Sequence, residues 1–390
     1  MKRLKGFASG EQSALPTAVT AATAGATPSV TISGETRVVG VIGDPVEHSL
    51  SPIVQNAALR AAGLNWVYLP FHVRPDSLPS AIGALRALNL VGFNVTIPHK
   101  ERVLRLIDEV DPYAAWLGAV NTIGWADGGR LKGWNTDGAG FLASLAEAVD
   151  FQPQGTRVVI LGAGGAARAI AGQLCLSGVS SLTIVNRTYS RAEKLVEWLQ
   201  SAAAVAPAVA PVVAPAAAPV LAPAFGPAMG GQDTADGPGI HPQPQAQPEA
   251  QSQPQVQSHP QSRLQACTRP KPELAALAWD DAVALARAIE QADLLVQATA
   301  YGMHPQEEAK PPVPASLLHP GLVVCDIVYR PLETALLREA KVRGARPVNG
   351  LGMLVHQGAA SFTIWTGLPA PVAVMRQALA DALSPAQRTQ

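Results

Sequence analysis

A glycine-rich turn joins an apolar run to an alanine-rich segment in the middle of the chain, VVILGAGGAARA at residues 158–169. The run from Val158 to Leu161 is typical of a parallel strand buried on both faces. Gly162, Gly164 and Ala167 then occupy the three small-residue positions of the dinucleotide fingerprint G-x-G-x-x-G/A. A purely structural turn is the alternative, because any tight strand-to-helix turn favours glycine.

Composition limits the classes of protein that remain. A chain of 390 residues with 48% hydrophobic content can form two domains with sizeable cores. Its 29 basic and 29 acidic residues show no basic cluster, which argues against nucleic acid or a membrane surface as a partner. Cys175, Cys267 and Cys325 are too few and scattered for a disulfide framework or a metal site. We therefore expect a soluble cytoplasmic protein without a metal.

Strands alternate with helices before the glycine turn, which predicts a mostly parallel sheet. The segment HSLSP predicts the start of a helix, with Ser51 at its N-cap and Pro52 at its first position. Thr136 or Asp137 can cap a later helix that crosses into the dinucleotide-binding half. Predicted strands cover 66–73 and 91–97, and predicted helices cover 76–88, 100–110 and 138–149.

The second half shows the same alternation and ends in helices. Residues 350–383 are predicted to be helical and to fold back on the first half. We therefore expect a substrate-binding domain at 37–136, completed by 350–386, and a dinucleotide-binding domain at 137–349. Predicted strands here cover 182–185, 293–298 and 322–327, and predicted helices cover 190–199, 281–290 and 332–344.

Two low-complexity segments are predicted to be disordered. Residues 1–36 are rich in Ala, Thr, Ser and Gly without a period, which is typical of a disordered tail. Residues 201–270 repeat Ala and Pro and then Gln and Pro, and proline at that density excludes a stable helix or a central strand. A tolerated loop insertion is the simple interpretation, and a partner-docking segment is the alternative.

The residues after the second strand of the dinucleotide half favour NADP over NAD. An enzyme that uses NAD places Asp or Glu at this position, whereas this chain has Asn186, Arg187 and Thr188, followed by Arg191. Two guanidinium groups one helical turn apart can bind a phosphate. Solvated arginines at a helix start are the alternative, although cations are mildly unfavourable there.

Polar side chains in the first half are candidates for chemistry. Lys100 is predicted in or next to the first turn of a helix, where an ammonium group loses its proton more readily and suits proton transfer. A solvated surface lysine is the alternative. Asp137 can cap a helix and still pair with an ammonium group. Ser49 and Ser51 offer hydroxyls next to helix N–H groups, which suits a carboxylate ligand.

Seven motifs in order resemble the shikimate dehydrogenase family over about residues 36–386: HSLSP, NVTIPHK, GAVNT, NTDG, GAGGAA, NRT with Arg191, and NGLGMLVHQGA. The resemblance implies an α/β fold, with a mostly parallel substrate-binding domain, a Rossmann-type NADP-binding domain and C-terminal helices that return to the first domain. It implies NADPH-dependent reduction of 3-dehydroshikimate to shikimate, with Lys100 and Asp137 as the catalytic pair. The implied substrate-binding residues are Ser49, Ser51, Thr96, Asn121, Tyr329 and Gln357. The implied cofactor-binding residues are Gly162, Ala163, Gly164, Gly165, Ala166, Asn186, Arg187, Thr188, Arg191, Ala298, Ile327, Gly350 and Met353.

Two departures and two alternatives accompany the resemblance. Asn349 stands where the family often has aspartate, and Gln297 stands where asparagine is common. A quinate/shikimate dehydrogenase is one alternative, against which Ser51 and Arg187 argue. A non-catalytic NADP-binding regulatory or scaffold protein is the other. The oligomeric state stays open, with a homodimer among the alternatives.

Overall fold

A computed structural model describes residues 31–202, 271–303 and 305–384. The predicted disordered tail lies outside these residues except for 31–36, and the predicted insertion lies outside them except for Ser201 and Ala202. Residues 33–36 form a turn, and Thr36 Oγ1 donates a hydrogen bond to Asn65 Oδ1 at 2.8 Å. The first strand begins directly after this turn.

The described chain contains strands and α-helices in alternation. The strands are β1 Arg37–Gly43, β2 Trp66–His72, β3 Gly92–Val95, β4 Glu109–Val110, β5 Thr122–Ala126, β6 Arg130–Trp134, β7 Arg157–Leu161, β8 Ser181–Asn186, β9 Glu273–Ala278, β10 Leu294–Gln297, β11 Val323–Asp326 and β12 Arg346–Val348. The α-helices are α1 Ser51–Ala61, α2 Leu78–Ala87, α3 Pro112–Leu117, α4 Asp137–Val149, α5 Gly165–Leu176, α6 Tyr189–Ala202, α7 Ala282–Glu290, α8 Ala335–Val342, α9 Leu351–Thr366 and α10 Val372–Leu383.

Six strands form each of two sheets. The first has the order β2-β1-β3-β5-β6-β4, and its β1, β2 and β3 pair in parallel while β5 and β6 form an antiparallel hairpin. The second has the order β12-β11-β10-β7-β8-β9 and is parallel throughout. Its strand order reverses beside β7, and ligands of such sheets bind in the crevice at the carboxyl ends of the strands at that point. The predicted two-domain α/β fold is confirmed.

The two C-terminal helices complete the core of the first half, as predicted. Phe362 from α9 and Met375 from α10 are fully buried in one apolar cluster with Val54 and Leu59 from α1. The α9 helix also lies against α4. It therefore contacts both the first half and the helix that leads into the second.

Glycines let α4 and α9 approach closely. A Cβ atom at Gly140 would lie 2.5 Å from the backbone nitrogen of Gln357, and one at Gly352 would lie 2.8 Å from Ser144 Cβ. Neither position can take a larger side chain without moving one helix. The close packing brings the start of α4 and the middle of α9 to the same place.

Two local predictions in the first half are wrong. Residues 100–110 form no α-helix, but turns, a 3-10 helix at Arg102–Arg105 and the strand β4. Sheet contacts take precedence there, because Lys100 O accepts from Val120 N and β4 pairs with β6. Ser51 is the first helical residue of α1, not its N-cap, and Leu50 occupies the cap position.

Removing the side chain of Met375 tests the contribution of the C-terminal helices. We expect Met375→Ala to lower the free energy of unfolding by about 2–5 kcal/mol, because it leaves a cavity in the buried cluster. Val374→Ala is the control from the same helix, since Val374 is 41% exposed; its effect should stay within about 0.5 kcal/mol. Urea unfolding measures both free energies, and equal losses would contradict the burial of Met375 in this cluster.

Candidate active site

One cavity between the two halves contains all eight predicted catalytic and substrate-binding side chains. The lining residues come from both halves: β1, β3, the residue before β5, α1, α4, α9 and the segment after β11 all contribute. Its lining residues are Val41, Ser49, Ser51, Asn94, Val95, Thr96, Lys100, Asn121, Asp137, Ile327, Tyr329, Gly350, Met353, Leu354 and Gln357.

Lys100 and Asp137 form an ion pair in this cavity. The distance from Lys100 Nζ to Asp137 Oδ2 is 2.6 Å, and the side chains are 22% and 8% exposed. Asp137 is the first residue of α4, where the helix dipole favours a carboxylate. Of the two predicted caps, Thr136 occupies the N-cap position of α4 but makes no side-chain cap hydrogen bond. The prediction is wrong for Asp137, which is the first helical residue and contacts Lys100 and Asn121 instead.

Asn121 fixes the other oxygen of the carboxylate. Its Nδ2 donates to Asp137 Oδ1 at 2.8 Å, while its Oδ1 accepts from Thr136 N at 2.9 Å and from Thr122 Oγ1 at 3.0 Å. These contacts determine the orientation of the amide, because only its nitrogen can donate. Both carboxylate oxygens of Asp137 therefore have donors, and the ammonium group of Lys100 is held at the cavity wall.

Hydroxyl and amide groups line the remaining walls. Ser49 Oγ accepts from Ser51 N at the start of α1, at 3.3 Å. Gln357 on α9 donates from Nε2 to Leu354 O, and its backbone oxygen accepts from Thr136 Oγ1. Burial raises the pKa of Tyr329, so its phenol keeps its proton and can donate a hydrogen bond. The cavity thus offers many directional polar contacts and one ion pair.

Asn94 is a buried polar residue of the cavity that the sequence reasoning missed. Its Oδ1 accepts from Tyr68 Oη at 2.7 Å, and its Nδ2 donates to Ser361 Oγ at 2.9 Å. The signal was available, because alternation along a strand puts Asn94 on the same face as the predicted residue Thr96.

The glycine turn after β7 has the shape that the fingerprint predicts. Gly162 has φ +114°, and a Cβ there would lie 2.8 Å from Ala298 O, so only glycine suits this position. A Cβ at Gly164 or Gly165 would meet nothing within 4 Å, so space lies in front of the α5 N-terminus. Such a turn fits a diphosphate, which backbone N–H groups can bind.

The predicted phosphate-binding arginines lie at the carboxyl end of β8. Arg187 follows this strand, Arg191 is in the first turn of α6, and both are exposed. Asn186 Nδ2 donates to Thr188 O and thereby shapes the loop. These residues lie next to the glycine turn, because they follow β8, and β8 pairs with β7, the strand that leads into the turn.

The remaining predicted cofactor residues surround the point where the two halves meet. A Cβ at Gly350 would collide with the carbonyl oxygen of Ile327, so glycine permits the close approach of these segments. Ile327, Gly350 and Met353 all line the cavity. Ala298 lies beside the glycine turn, because its backbone nitrogen donates to Leu161 O at 2.8 Å. The predicted cofactor path therefore runs from the arginines past the glycine turn to the cavity.

Asp326, which the sequence reasoning did not single out, is buried at the end of β11. Its Oδ1 accepts from Val328 N at 3.0 Å and its Oδ2 accepts from Thr334 Oγ1 at 2.7 Å. Desolvation by burial raises the pKa of Asp326 to about 6, although these two hydrogen bonds oppose the shift. The carboxyl group ties together the segment that carries Ile327 and Tyr329.

The described residues form neither a metal-binding cluster nor a membrane-spanning helix. No three His, Cys, Asp or Glu side chains among them are placed to hold a metal ion. In the same part of the chain, no helix has both the length and the apolar character needed to cross a membrane.

Comparisons with known proteins agree with one another. Profiles described as the shikimate dehydrogenase substrate binding domain, shikimate/quinate 5-dehydrogenase and the shikimate 5'-dehydrogenase C-terminal domain match residues 41–123, 144–210 and 350–380. A shikimate dehydrogenase (NADP+) from Methanopyrus kandleri is 42% identical over 355 residues, which cover 91% of this chain and 99% of the relative.

Two solved structures show the same fold. Shikimate 5-dehydrogenase from Thermus thermophilus, in complex with NADP(H) and shikimate, is 30% identical with a TM-score of 0.64, covering 89% of this chain and 100% of that one. Quinate dehydrogenase from Corynebacterium glutamicum, in complex with NAD, is 26% identical with a TM-score of 0.66, covering 89% and 99%. Likeness of fold therefore does not separate these two substrates or cofactors.

The raised pKa of Asp326 predicts an unusual dependence of stability on pH. The native protein keeps this proton between about pH 4, where an unfolded Asp loses it, and about pH 6. The stabilisation is therefore complete below that range and is lost as the pH rises through it, by up to about 3 kcal/mol. We expect the unfolding free energy of the wild type minus that of Asp326→Asn to fall between pH 4 and pH 6.5. A difference that stays constant with pH in urea unfolding would contradict this.

Proposed function

This chain belongs to the shikimate dehydrogenase family, and on that premise we propose that it catalyses the reversible NADPH-dependent reduction of 3-dehydroshikimate to shikimate. The observation that carries the proposal is the Lys100–Asp137 ion pair in a cavity that reaches Gly350 and Met353. A proton donor and the predicted nicotinamide surroundings thus share one space. Reduction of a ketone needs both a hydride and a proton, so the two groups that supply them must lie close together.

We propose that NADP(H) is held along the carboxyl edge of the second sheet. The open space in front of α5 suits the diphosphate, and the exposed guanidinium groups of Arg187 and Arg191 suit the 2′-phosphate. NADPH, when bound, supplies the hydride for the carbonyl carbon. The residues assigned to the cofactor are Gly162, Ala163, Gly164, Gly165, Ala166, Asn186, Arg187, Thr188, Arg191, Ala298, Ile327, Gly350 and Met353.

Lys100 is the proton donor in this proposal. As the carbonyl carbon becomes tetrahedral, negative charge develops on its oxygen, and the ammonium group of Lys100 stabilises this charge and donates a proton there. Asp137 holds the ammonium group in place at 2.6 Å and can accept a hydrogen bond from a substrate hydroxyl. In the reverse direction, Lys100 accepts the hydroxyl proton of shikimate.

The other cavity residues would bind the substrate. Ser49 and Ser51 lie at the start of α1, where hydroxyls and helix N–H groups suit the carboxylate of the substrate. Ring hydroxyls need partners that both donate and accept, a property that amide and hydroxyl side chains share. The residues assigned to them are Thr96, Asn121 and Gln357, and Tyr329 encloses the ring.

The two alternatives are less well supported. A quinate-using enzyme of this family often has threonine in place of the second serine, or an acidic residue near the ribose; this chain has Ser51 and Arg187. A non-catalytic NADP-binding protein has no need for an ion pair. Here Lys100 and Asp137 are joined inside the cavity with Asn121 as support, which favours catalysis.

We propose further that residues 37–136 with 350–386 form the substrate-binding domain and 137–349 the NADP-binding domain. The separate sheets formed before and after α4 in the chain support this division.

The cytoplasm is the compartment that we propose for this chain, because its reducing conditions suit the free thiols of Cys175 and Cys325. A homodimer stays a prediction, which the molecular mass in solution checks.

An assay of the purified chain tests the substrate and the cofactor together. We expect oxidation of shikimate with NADP+ to exceed, in kcat/KM, oxidation of quinate with NADP+ and of shikimate with NAD+, each by at least about tenfold. The physical reason for the cofactor preference is the arginine pair, since a charged phosphate contact adds about 1.4 kcal/mol or more. Absorbance of the reduced nicotinamide measures all rates. Equal turnover with both cofactors would contradict the preference, and absence of shikimate oxidation would contradict the function.

Replacing Lys100 tests the proton donor. We expect Lys100→Ala and Asp137→Asn to lower kcat by about 10²- to 10⁴-fold, the usual contribution of a positioned acid or base. The dissociation constant for NADP+ should stay within about twofold, because neither residue belongs to the assigned cofactor set. Lys341→Ala is the control, since Lys341 is a 73% exposed lysine on α8. Undiminished shikimate oxidation by Lys100→Ala would favour the non-catalytic alternative.

A further inference from the structure

The helix α3 forms a second contact between the two halves, in addition to the packing of α4 against α9. It lies between β4 and β5 of the first sheet, yet it packs against α5 of the second half. A Cβ atom at Gly172 of α5 would lie 2.9 Å from the Trp116 ring, so glycine leaves room for the indole. Tyr113 Oη donates a hydrogen bond to Ala169 O of α5 at 3.4 Å. Two aromatic side chains of α3 therefore reach the helix that follows the glycine turn.

A row of three aromatic rings extends this contact to α6. The rings of Tyr113 and Trp116 are stacked with centroids 5.9 Å apart, and the Trp116 ring lies 4.9 Å from that of Trp198. Such ring pairs attract each other beyond the area that they bury. Trp198 belongs to α6 and packs against the core of the second half. The row therefore joins the first half to the core of the second.

Arg168 completes this contact from the first turn of α5. Its guanidinium carbon lies 4.3 Å from the centre of the Trp198 ring, which is a cation–π contact. A Cβ atom at Gly118, the C-cap of α3, would lie 3.4 Å from Arg168 Nη2. The guanidinium group therefore lies between α6 and the first half. Tyr113, Trp116, Trp198 and Arg168 together form the interdomain cluster.

The guanidinium group of Arg168 is buried at a cost that packing alone does not explain. Its Nε has no hydrogen-bond acceptor among the described residues, and an unsatisfied buried donor lowers stability. Burial lowers the pKa of Arg168, whereas the charge of Glu101 raises it. Glu101 directly follows Lys100 and is exposed. The charge on α5 therefore interacts, across the boundary between the halves, with the segment that carries the proton donor.

We propose that the interdomain cluster sets the distance between the bound cofactor and the Lys100 ammonium group. This inference rests on the proposed function, because it concerns the alignment of hydride and proton transfer. The first turn of α5 carries both Arg168 and the N–H groups assigned to the diphosphate. On the other side, α3 leads through a short turn to Asn121, whose amide holds Asp137. A contact between α3 and α5 therefore fixes the cofactor relative to the ion pair.

The cluster consists of positioning residues, since none of its four side chains is among those that line the described cavity. Reacting groups must lie about 3–3.5 Å apart, and a misplacement of about 1 Å can cost about a hundredfold in rate. A small shift of one half therefore slows the chemical step. Most groups assigned to shikimate lie in the first half, and most groups assigned to NADP(H) lie in the second. The affinity for either ligand alone should therefore change little.

Replacement of Arg168 in the full chain tests this role against a matched control. We expect Arg168→Gln to lower kcat for shikimate oxidation at least about tenfold, because loss of the cation–π contact lets the halves shift. The dissociation constants for NADP+ alone and for shikimate alone, measured by calorimetry, should stay within about twofold.

Arg37→Gln is the control, because Arg37 makes the same kind of contact elsewhere. Its guanidinium carbon lies 4.7 Å from the centre of the Trp66 ring, and burial lowers its pKa as well. Arg37 and Trp66 are the first residues of β1 and β2, and neither is among the residues that line the cavity. Arg37→Gln should therefore keep the kcat of the wild type.

Trp198→Leu gives an independent readout of the same contact. It removes the ring face beneath Arg168 and the contact with Trp116, so kcat should fall in the same way. Side chains that act as a unit are non-additive, so the double variant Arg168→Gln/Trp198→Leu should lose no more than about twofold beyond the worse single variant.

Three results would overturn the cluster and leave the proposed function standing. They are additive losses in the double variant, a loss that appears in the dissociation constants instead of kcat, and an equal kcat in Arg168→Gln and Arg37→Gln. Absence of shikimate oxidation by the wild type would overturn the proposed function and this inference with it.

Discussion

The close packing of α4 against α9 brings the chemistry of two distant chain segments into one cavity. It depends on Gly140 and Gly352, where any side chain would collide with the facing helix. Asp137 begins α4 and Gln357 lies in the middle of α9, so both residues line the same cavity because the two helices pack this closely. A larger residue at either glycine would separate the halves and widen the cavity, although it touches no ligand-binding atom.

The polar network around Asn121 turns this packing into a defined geometry. Its amide contacts Thr136 at the end of the hairpin segment, Thr122 within β5 and Asp137 at the start of α4. Buried polar groups are costly unless they are satisfied, so the network strongly favours one arrangement of these elements. The Asp137 carboxylate is fixed before any ligand binds, and its ion pair fixes the ammonium group of Lys100.

The sequence predicted the strands well and the local helix signals less well. The parallel strands were visible because buried apolar runs separated by helical periods have few alternative structures. Residues 100–110 looked helical by pattern, but there the backbone of Lys100 pairs with Val120 and β4 completes a sheet edge, which no local signal reveals. The cap assignments for Ser51 and Asp137 were wrong for a related reason. Both residues line the cavity. A polar residue at the start of a helix is expected of a capping residue and of a binding residue alike, so the sequence alone does not separate the two roles.

The departures from the family pattern show which parts of a motif are chemical and which are structural. Asn349 Oδ1 accepts from Leu351 N at the start of α9, and an aspartate oxygen in that place would accept the same hydrogen bond. The exchange therefore alters charge but keeps the contact that starts the helix. Gln297 is fully buried, and its amide shapes the loop after β10, because Oε1 accepts from Thr299 N and Nε2 donates to Tyr301 O. Both positions therefore serve the backbone around them through a side-chain amide, while the ion pair of Lys100 and Asp137 lies in the cavity itself.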